Sequence, residues 1–281
     1  MTTISRIIIV VILASIIFTS CTDVIDVDVP EAESRLVIEA SIDWEKGTSG
    51  SDQTIKLSKS TPYFEQQSVP ATGASVKVTN ANDGTFFIFD DQNNGAYTTN
   101  SFIPELNQSY TLEIIYIGET YTATETLTPV VDIEDIYQSM DKGISDVLEI
   151  NVDFQDPANE ENFYFFKIQE QADALPTLFD IKDEFVDGNL INIFNERDED
   201  EDINQEEYQP GDSVDIEFHG ISEQYFEYIS LLIIQFEATD NPFGTIPVPL
   251  KGNCINESNR NKDAFGYFRL TEVVKSTYIF Q

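Results

Sequence analysis

Ala74-Ser75-Val76-Lys77-Val78-Thr79, then Asn82-Asp83-Gly84, then Thr85-Phe86-Phe87-Ile88-Phe89 is the stretch that decides the fold. On the first arm apolar and polar residues alternate with period two, because successive side chains of a strand point to opposite faces of a sheet. Asn-Asp-Gly between the arms supplies residues that tolerate the left-handed backbone of a tight turn, so residues 74 to 90 read as a β-hairpin.

Working outward, the same period runs through Leu36 to Ile42, Thr54 to Ser58, Tyr97, Tyr110 to Tyr116 and Tyr121 to Thr126, with turns at Asp91 to Gly95 and at Gly118-Glu119. About seven strands in about a hundred residues is the spacing of an immunoglobulin-like sandwich. Residues 34–130 are therefore expected to form an immunoglobulin-like β-sandwich, closed by Thr128-Pro129.

Beyond it, residues 131–281 read as a second antiparallel β domain, giving a mainly β chain. Val147 to Phe154 and Asn162 to Ile168 read as two antiparallel strands around Asp156-Pro157. Further strands are expected at Leu190 to Phe194, Ser213 to Phe218, Gly266 to Leu270 and Val273 to Phe280. Phe163, Tyr164, Phe165 and Phe166 belong to a core rather than a sugar-stacking wall. One main α-helix is expected near 222–238: Ser222 caps it, Glu223 suits its dipole, and Tyr225, Ile229, Leu232 and Phe236 share a face. Phe226, Ile233 and Ile234 widen that face, so the helix is expected to be largely enclosed.

The N-terminus has a different logic. Arg6 leads into an apolar run from Ile7 to Phe18, and Phe18-Thr19-Ser20-Cys21 follows. The run is too short for a stable bilayer span and matches the apolar stretch of an export signal. Small Thr19 and Ser20 before Cys21 complete a lipobox-like ending. Residues 1–20 are thus expected to be a signal peptide, Cys21 the lipid attachment site, and residues 21–33 a lipid-anchored tether with Asp23, Asp26 and Asp28 close to the anchor. The acyl chains make the membrane a partner.

The 281 residues carry 15 Lys and Arg against 51 Asp and Glu, a formal net charge of −36. Nucleic acid is excluded as a partner, since a polyanion would be repelled and no basic stripe exists to release counterions. Once Cys21 is acylated, Cys254 alone remains, so no internal disulfide is possible. Cys254 reads as a buried inert thiol.

Five phrases of the second half stand in order: Asp183 to Asn189, Tyr208-Gln209-Pro210-Gly211-Asp212, His219 to Tyr228, Asn241-Pro242-Phe243-Gly244 and Gly266-Tyr267-Phe268-Arg269-Leu270. With Cys21-Thr22-Asp23 and Leu36-Val37-Ile38-Glu39, the chain resembles a Bacteroidota outer-membrane lipoprotein family with a domain of unknown function, often found with TonB-dependent transporters. The resemblance implies an outer-membrane protein with a TonB-dependent outer-membrane transporter as partner. Asp23, Asp26 and Asp28 behind Cys21, interleaved with apolar residues, resemble the surface-export signals of Bacteroidota lipoproteins, which implies outward display. It supplies no catalytic residue.

Chemistry is sparse in the sequence. The acidic run Glu196 to Glu207 offers oxygen ligands at alternate positions, with Asp198, Asp200 and Asp202 as candidates for a weak calcium site. Ile203 stands where an EF-hand loop needs glycine, so a solvated loop is the leading reading. His219 is the single histidine, with no nucleophile elbow to pair with it, and reads as structural. No phosphate loop or dinucleotide fingerprint occurs, so no cofactor is expected. The functional expectation is a non-enzymatic accessory or binding component of a transporter or envelope complex. A surface glycoside hydrolase, or a structural or adhesive envelope protein, is the alternative.

Overall fold

The structure, a computed structural model, describes residues 33–62, 65, 67–140, 147–171, 173–197, 199, 206–238 and 249–281. The expected signal peptide, Cys21 and all but the end of the tether lie outside these residues, and Ser34–Gln281 forms one compact unit. Its elements in chain order are β1 (Leu36–Glu45), β2 (Gln53–Lys59), β3 (Val69–Pro70), β4 (Ser75–Asn80), β5 (Phe86–Asp91), β6 (Ala96–Thr99), β7 (Ser109–Tyr116), β8 (Glu119–Thr126), β9 (Ile133–Met140), β10 (Leu148–Gln155), β11 (Phe163–Glu170), β12 (Thr177–Lys182), β13 (Leu190–Glu196), β14 (Ser213–Gly220), helix α1 (Glu223–Ala238), β15 (Ile255–Asn256) and β16 (Phe265–Ile279). The chain is mainly β, as its periodicity predicts.

The hairpin at 74 to 90 forms with Val76 opposite Phe89 and Val78 opposite Phe87. Gly84 takes φ +80°, and Asp83 Oδ1 accepts the Thr85 amide at 2.8 Å, so turn chemistry and register agree. β5 leaves β6 after two paired residues and crosses to β4, which folds the strand path into two facing layers. Ile38, Ile42, Ile55, Leu57, Val76, Val78, Tyr97 and Leu112 meet between these layers in the first core.

A second core lies between the run β12-β11-β14-β16 and a small sheet ordered β13-β10-β9. Tyr164 and Phe166 point into it, whereas Phe163 and Phe165 point to the opposite face and pack under α1 in a third core. Because β11 is buried on both faces, its aromatic run is continuous instead of alternating. That double burial corrects one expectation: β10 and β11 do not pair around Asp156-Pro157, since β10 bonds to β9 and β13 while β11 bonds to β12 and β14. The turn carries the chain from one layer to the other.

Two further differences follow from packing. The strands expected at 266–270 and 273–280 are one strand of fifteen residues, β16, whose first half pairs in parallel with β1 and whose second half pairs with β14. Phe268 and Leu270 enter the first core, and Val274 and Tyr278 pack on the second. Hydrogen bonding thus crosses the sequence position near 130. The helix is also less enclosed than expected. Tyr225 and Ile229 are buried, but Leu231, Leu232, Ile234 and Phe236 are exposed, because α1 packs on β11, β12 and β16 chiefly through its first half.

Candidate functional site

Two constellations concentrate polar groups inside the described body. The first lies where the loop after β10 meets the loop between β12 and β13, bringing together Asp156, Asp183 and Asp187 with carboxylate oxygens all within 4.8 Å of one another. Asp156 and Asp183 are each 2% exposed. Asp156 accepts hydrogen bonds from Tyr164 Oη at 2.6 Å and the Gly188 amide at 2.9 Å. Asp183 accepts from the Asn162 amide at 2.9 Å, and Asp187 from the Asn159 amide at 2.8 Å.

These bonds staple the two loops together. Gly188 makes the closure possible: its φ is +72°, and a Cβ there would stand 2.7 Å from that of Ala158. Burial raises the pKa of Asp183, and the neighbouring carboxylates of Asp156 and Asp187 push it further up. Oxygens at this spacing are what a hard divalent cation coordinates, so these are the described residues that could hold one. Asp183 and Asp187 belong to one of the phrases that carry the family resemblance, which supplies no catalytic residue. Their partner Asp156 comes from a distant loop, and only the fold brings the three together.

The second constellation sits beneath the first turns of α1, between the β-strands of both halves. Arg269 on β16 is 7% exposed and donates from Nη2 to Asp43 Oδ1 at 2.6 Å. Its guanidinium lies 5.1 Å from the Tyr225 ring centroid and 5.8 Å from that of Phe165, which offsets part of its desolvation. Beside it, His219 is 1% exposed with neither ring nitrogen hydrogen-bonded. Burial lowers its pKa, and Arg269 adds to the effect. Glu217 lies 3.7 Å away, longer than a hydrogen bond. With His219 neutral and out of hydrogen-bond reach, the ammonium groups of Lys275 and Lys167, each at 3.1 Å, keep the Glu217 carboxyl well below the usual range.

Nearby, Glu125 on β8 accepts hydrogen bonds from the hydroxyls of Ser222 at 2.9 Å and Tyr267 at 3.2 Å. Ser222 Oγ in turn accepts the Tyr225 amide at 3.1 Å, which is the helix cap expected from the sequence. Burial nonetheless raises the Glu125 pKa. These groups are engaged with one another and with the backbone, and the arrangement ties the helix to β8 and β16. No hydroxyl or thiol is hydrogen-bonded to His219 among the described residues. Cys254 is 2% exposed, and burial pushes its thiol up to about 12, so it stays protonated at neutral pH. Of the sequence-derived calcium candidates, Asp198, Asp200 and Asp202 lie outside the described residues.

A body of this kind, two sheet-bounded cores with one capping helix, defines a mainly β, sandwich-type protein. The family model described as "Domain of unknown function (DUF4249)" matches residues 22–277, and the chain belongs to that family. No curated protein matches. Among solved structures, a two fibronectin type-III domain segment from chicken tenascin is similar over 80% of this chain and 91% of its own, at 8% identity and a TM-score of 0.24. The FN1-FN3 domains of chicken CNTN1 are similar over 65% of this chain and 62% of their own, at 12% identity and a TM-score of 0.23. At such scores neither likeness carries an argument, and the architecture rests on the strand pairing described above.

Proposed function

We propose that this protein is a Bacteroidota outer-membrane lipoprotein, anchored through Cys21 and displayed outward, that acts without chemistry as an accessory or binding component of a TonB-dependent transporter or envelope complex. The observation that carries this reading is the apolar run ending Phe18-Thr19-Ser20-Cys21, placed immediately before the family match that begins at residue 22. The compact body starts at Ser34, thirteen residues after the cysteine, which leaves a tether between lipid and fold. Among the described residues no helix is long and apolar enough to cross a membrane, so attachment through the acylated cysteine is the route the sequence offers.

The high negative charge favours solubility and opposes adhesion to anionic headgroups, consistent with a body held off the bilayer by its tether. Most of the polar groups of the two constellations are engaged in structural hydrogen bonds, and no hydroxyl or thiol is hydrogen-bonded to His219 among the described residues, which favours binding over catalysis. Intact-mass measurement of the membrane-extracted protein is expected to show residues 1–20 removed and three acyl chains on Cys21. Crosslinking in intact cells followed by affinity purification is expected to recover a TonB-dependent transporter. An unmodified cysteine on a freely secreted chain would sink the anchor, and repeated absence of any transporter would sink the partnership.

A further inference from the structure

The outer face of the first sandwich has an opening with a simple topological cause. β5 is paired with β6 only at Asp90 opposite Thr98 and Asp91 opposite Tyr97, and its Phe86–Phe89 segment then pairs with β4. β6 meanwhile stays beside β2, with Thr98 opposite Thr54 and Thr99 opposite Gln53. The strands part at this point, leaving a cleft of about 640 Å³ between them.

Register decides what lines it. Thr54, Thr98 and Asp90 lie side by side across β2, β6 and β5, so they share one face of the sheet. Beyond that row the walls diverge: Asp52 and Asn100 continue the β2 and β6 side, while Ile88 and Phe86, on the part of β5 that pairs with β4, line the opposite side. The intervening Gln53, Tyr97, Phe87 and Phe89 point inward and are buried. The paired row Thr54–Thr98–Asp90, three strands at about 4.8 Å spacing, makes a floor about 10 Å wide.

Its chemistry is mixed in a specific way. The Phe86 ring is 62% exposed and Ile88 is 48% exposed, side by side on an otherwise hydrophilic face. Among the described residues, the side chains of Asp52, Asp90 and Asn100 make no hydrogen bond or ion pair, so their oxygen and amide groups are available to a ligand. The cleft lining contains no Lys or Arg, which disfavours an anionic ligand. Unengaged acceptors, an amide that both donates and accepts, and an apolar ring surface together complement a molecule with hydroxyls on its edges and C–H groups on its faces.

We infer that the cleft between β5 and β6 is a binding site for a neutral oligosaccharide, with a sugar face packed on Phe86 and hydroxyls bonded to Asp52, Asp90 and Asn100. The site supplies a ligand class for the binding role proposed above and rests on that reading only for its biological use. It commits to a saccharide instead of a basic peptide because the exposed ring and the donor-accepting amide are features that charge attraction does not need.

The test uses the full chain in detergent and titration calorimetry with tetrasaccharides of cellulose, xylan, mannan, starch and chitin, alongside tetralysine. At least one tetrasaccharide is expected to bind, and Phe86→Ala and Asp90→Ala are each expected to weaken it at least tenfold. Phe185→Ala, which removes a ring that is 90% exposed elsewhere, is the control and is expected to leave affinity unchanged. Both cleft residues point outward, so circular dichroism of their variants should match the parent. No binding by any saccharide, binding that survives Phe86→Ala and Asp90→Ala, or binding of tetralysine alone would overturn the inference. Each of these results leaves the transporter pull-down standing, and failure of the pull-down leaves this binding intact.

Discussion

His219 is held where its protonation works against the fold. Its folded pKa lies below the ordinary 6.5, through burial and the nearby Arg269, so its contribution to stability is present above 6.5 and is lost as pH falls through the folded value. Glu125 and Asp183 act in the other direction: their raised pKa values mean stability is complete at acid pH and declines as pH rises through their folded values. Comparing variants with the parent at each pH separates these contributions. His219→Phe keeps the ring packing against Phe165 and removes two unpartnered nitrogens. It is expected to be more stable than the parent at pH 5.5 by about 1 kcal/mol, with a smaller gain at pH 8, as read by urea unfolding. Asp183→Asn removes one of three crowded carboxylates while keeping an acceptor for the Asn162 amide. It is expected to raise stability at pH 7 in the presence of a chelator by about 1 kcal/mol.

At the scale of elements, the start of α1 was legible and its surroundings were not. Ser222 signalled the cap, and Ser222→Ala is expected to cost about 1 kcal/mol while speeding hydrogen exchange of the Tyr225 amide. Exchange no faster than in the parent would show that the cap is dispensable. The helix carries apolar residues on nearly every side, so periodicity could not say which half would be covered. β11 poses the same difficulty in a strand: its apolar run announces burial on both faces but does not choose neighbours. The hairpin at 74 to 90 was readable because its pairing is local and its turn residues fix the register. β9 and β12 escaped notice. Edge positions relax alternation: no residue of β9 is buried, and β12 is mostly of intermediate exposure.

The whole molecule turns on β16. Its parallel pairing with β1 runs for nine residues, and Gly266 sits against the Ile38 carbonyl with φ +91°, where a Cβ would lie 2.0 Å from that oxygen. Gly266→Ala therefore needs the two backbones to separate, and a loss of about 3 kcal/mol or more is expected. Because the same strand feeds both cores, calorimetry of the parent is expected to give one cooperative transition. Phe268→Ala, a truncation in the first core costing about 3 to 5 kcal/mol, should lower that transition as a whole and speed amide exchange in β10 of the second core. Two separate transitions, with only the first shifted, would show that the cores unfold independently.

By itself the sequence determined a mainly β chain, a local hairpin, a capped helix, a buried thiol and a strongly anionic composition. Each of these follows from residues near one another or from sums over the chain. Tertiary structure alone decided that β16 joins the two cores and that β5 parts from β6 to open a cleft. It also decided that Asp156 meets Asp183 and Asp187, and that half of α1 stays uncovered. The physical reason is that alternation records which faces are buried, whereas partner choice depends on packing between segments separated by most of the chain, and no local pattern encodes that.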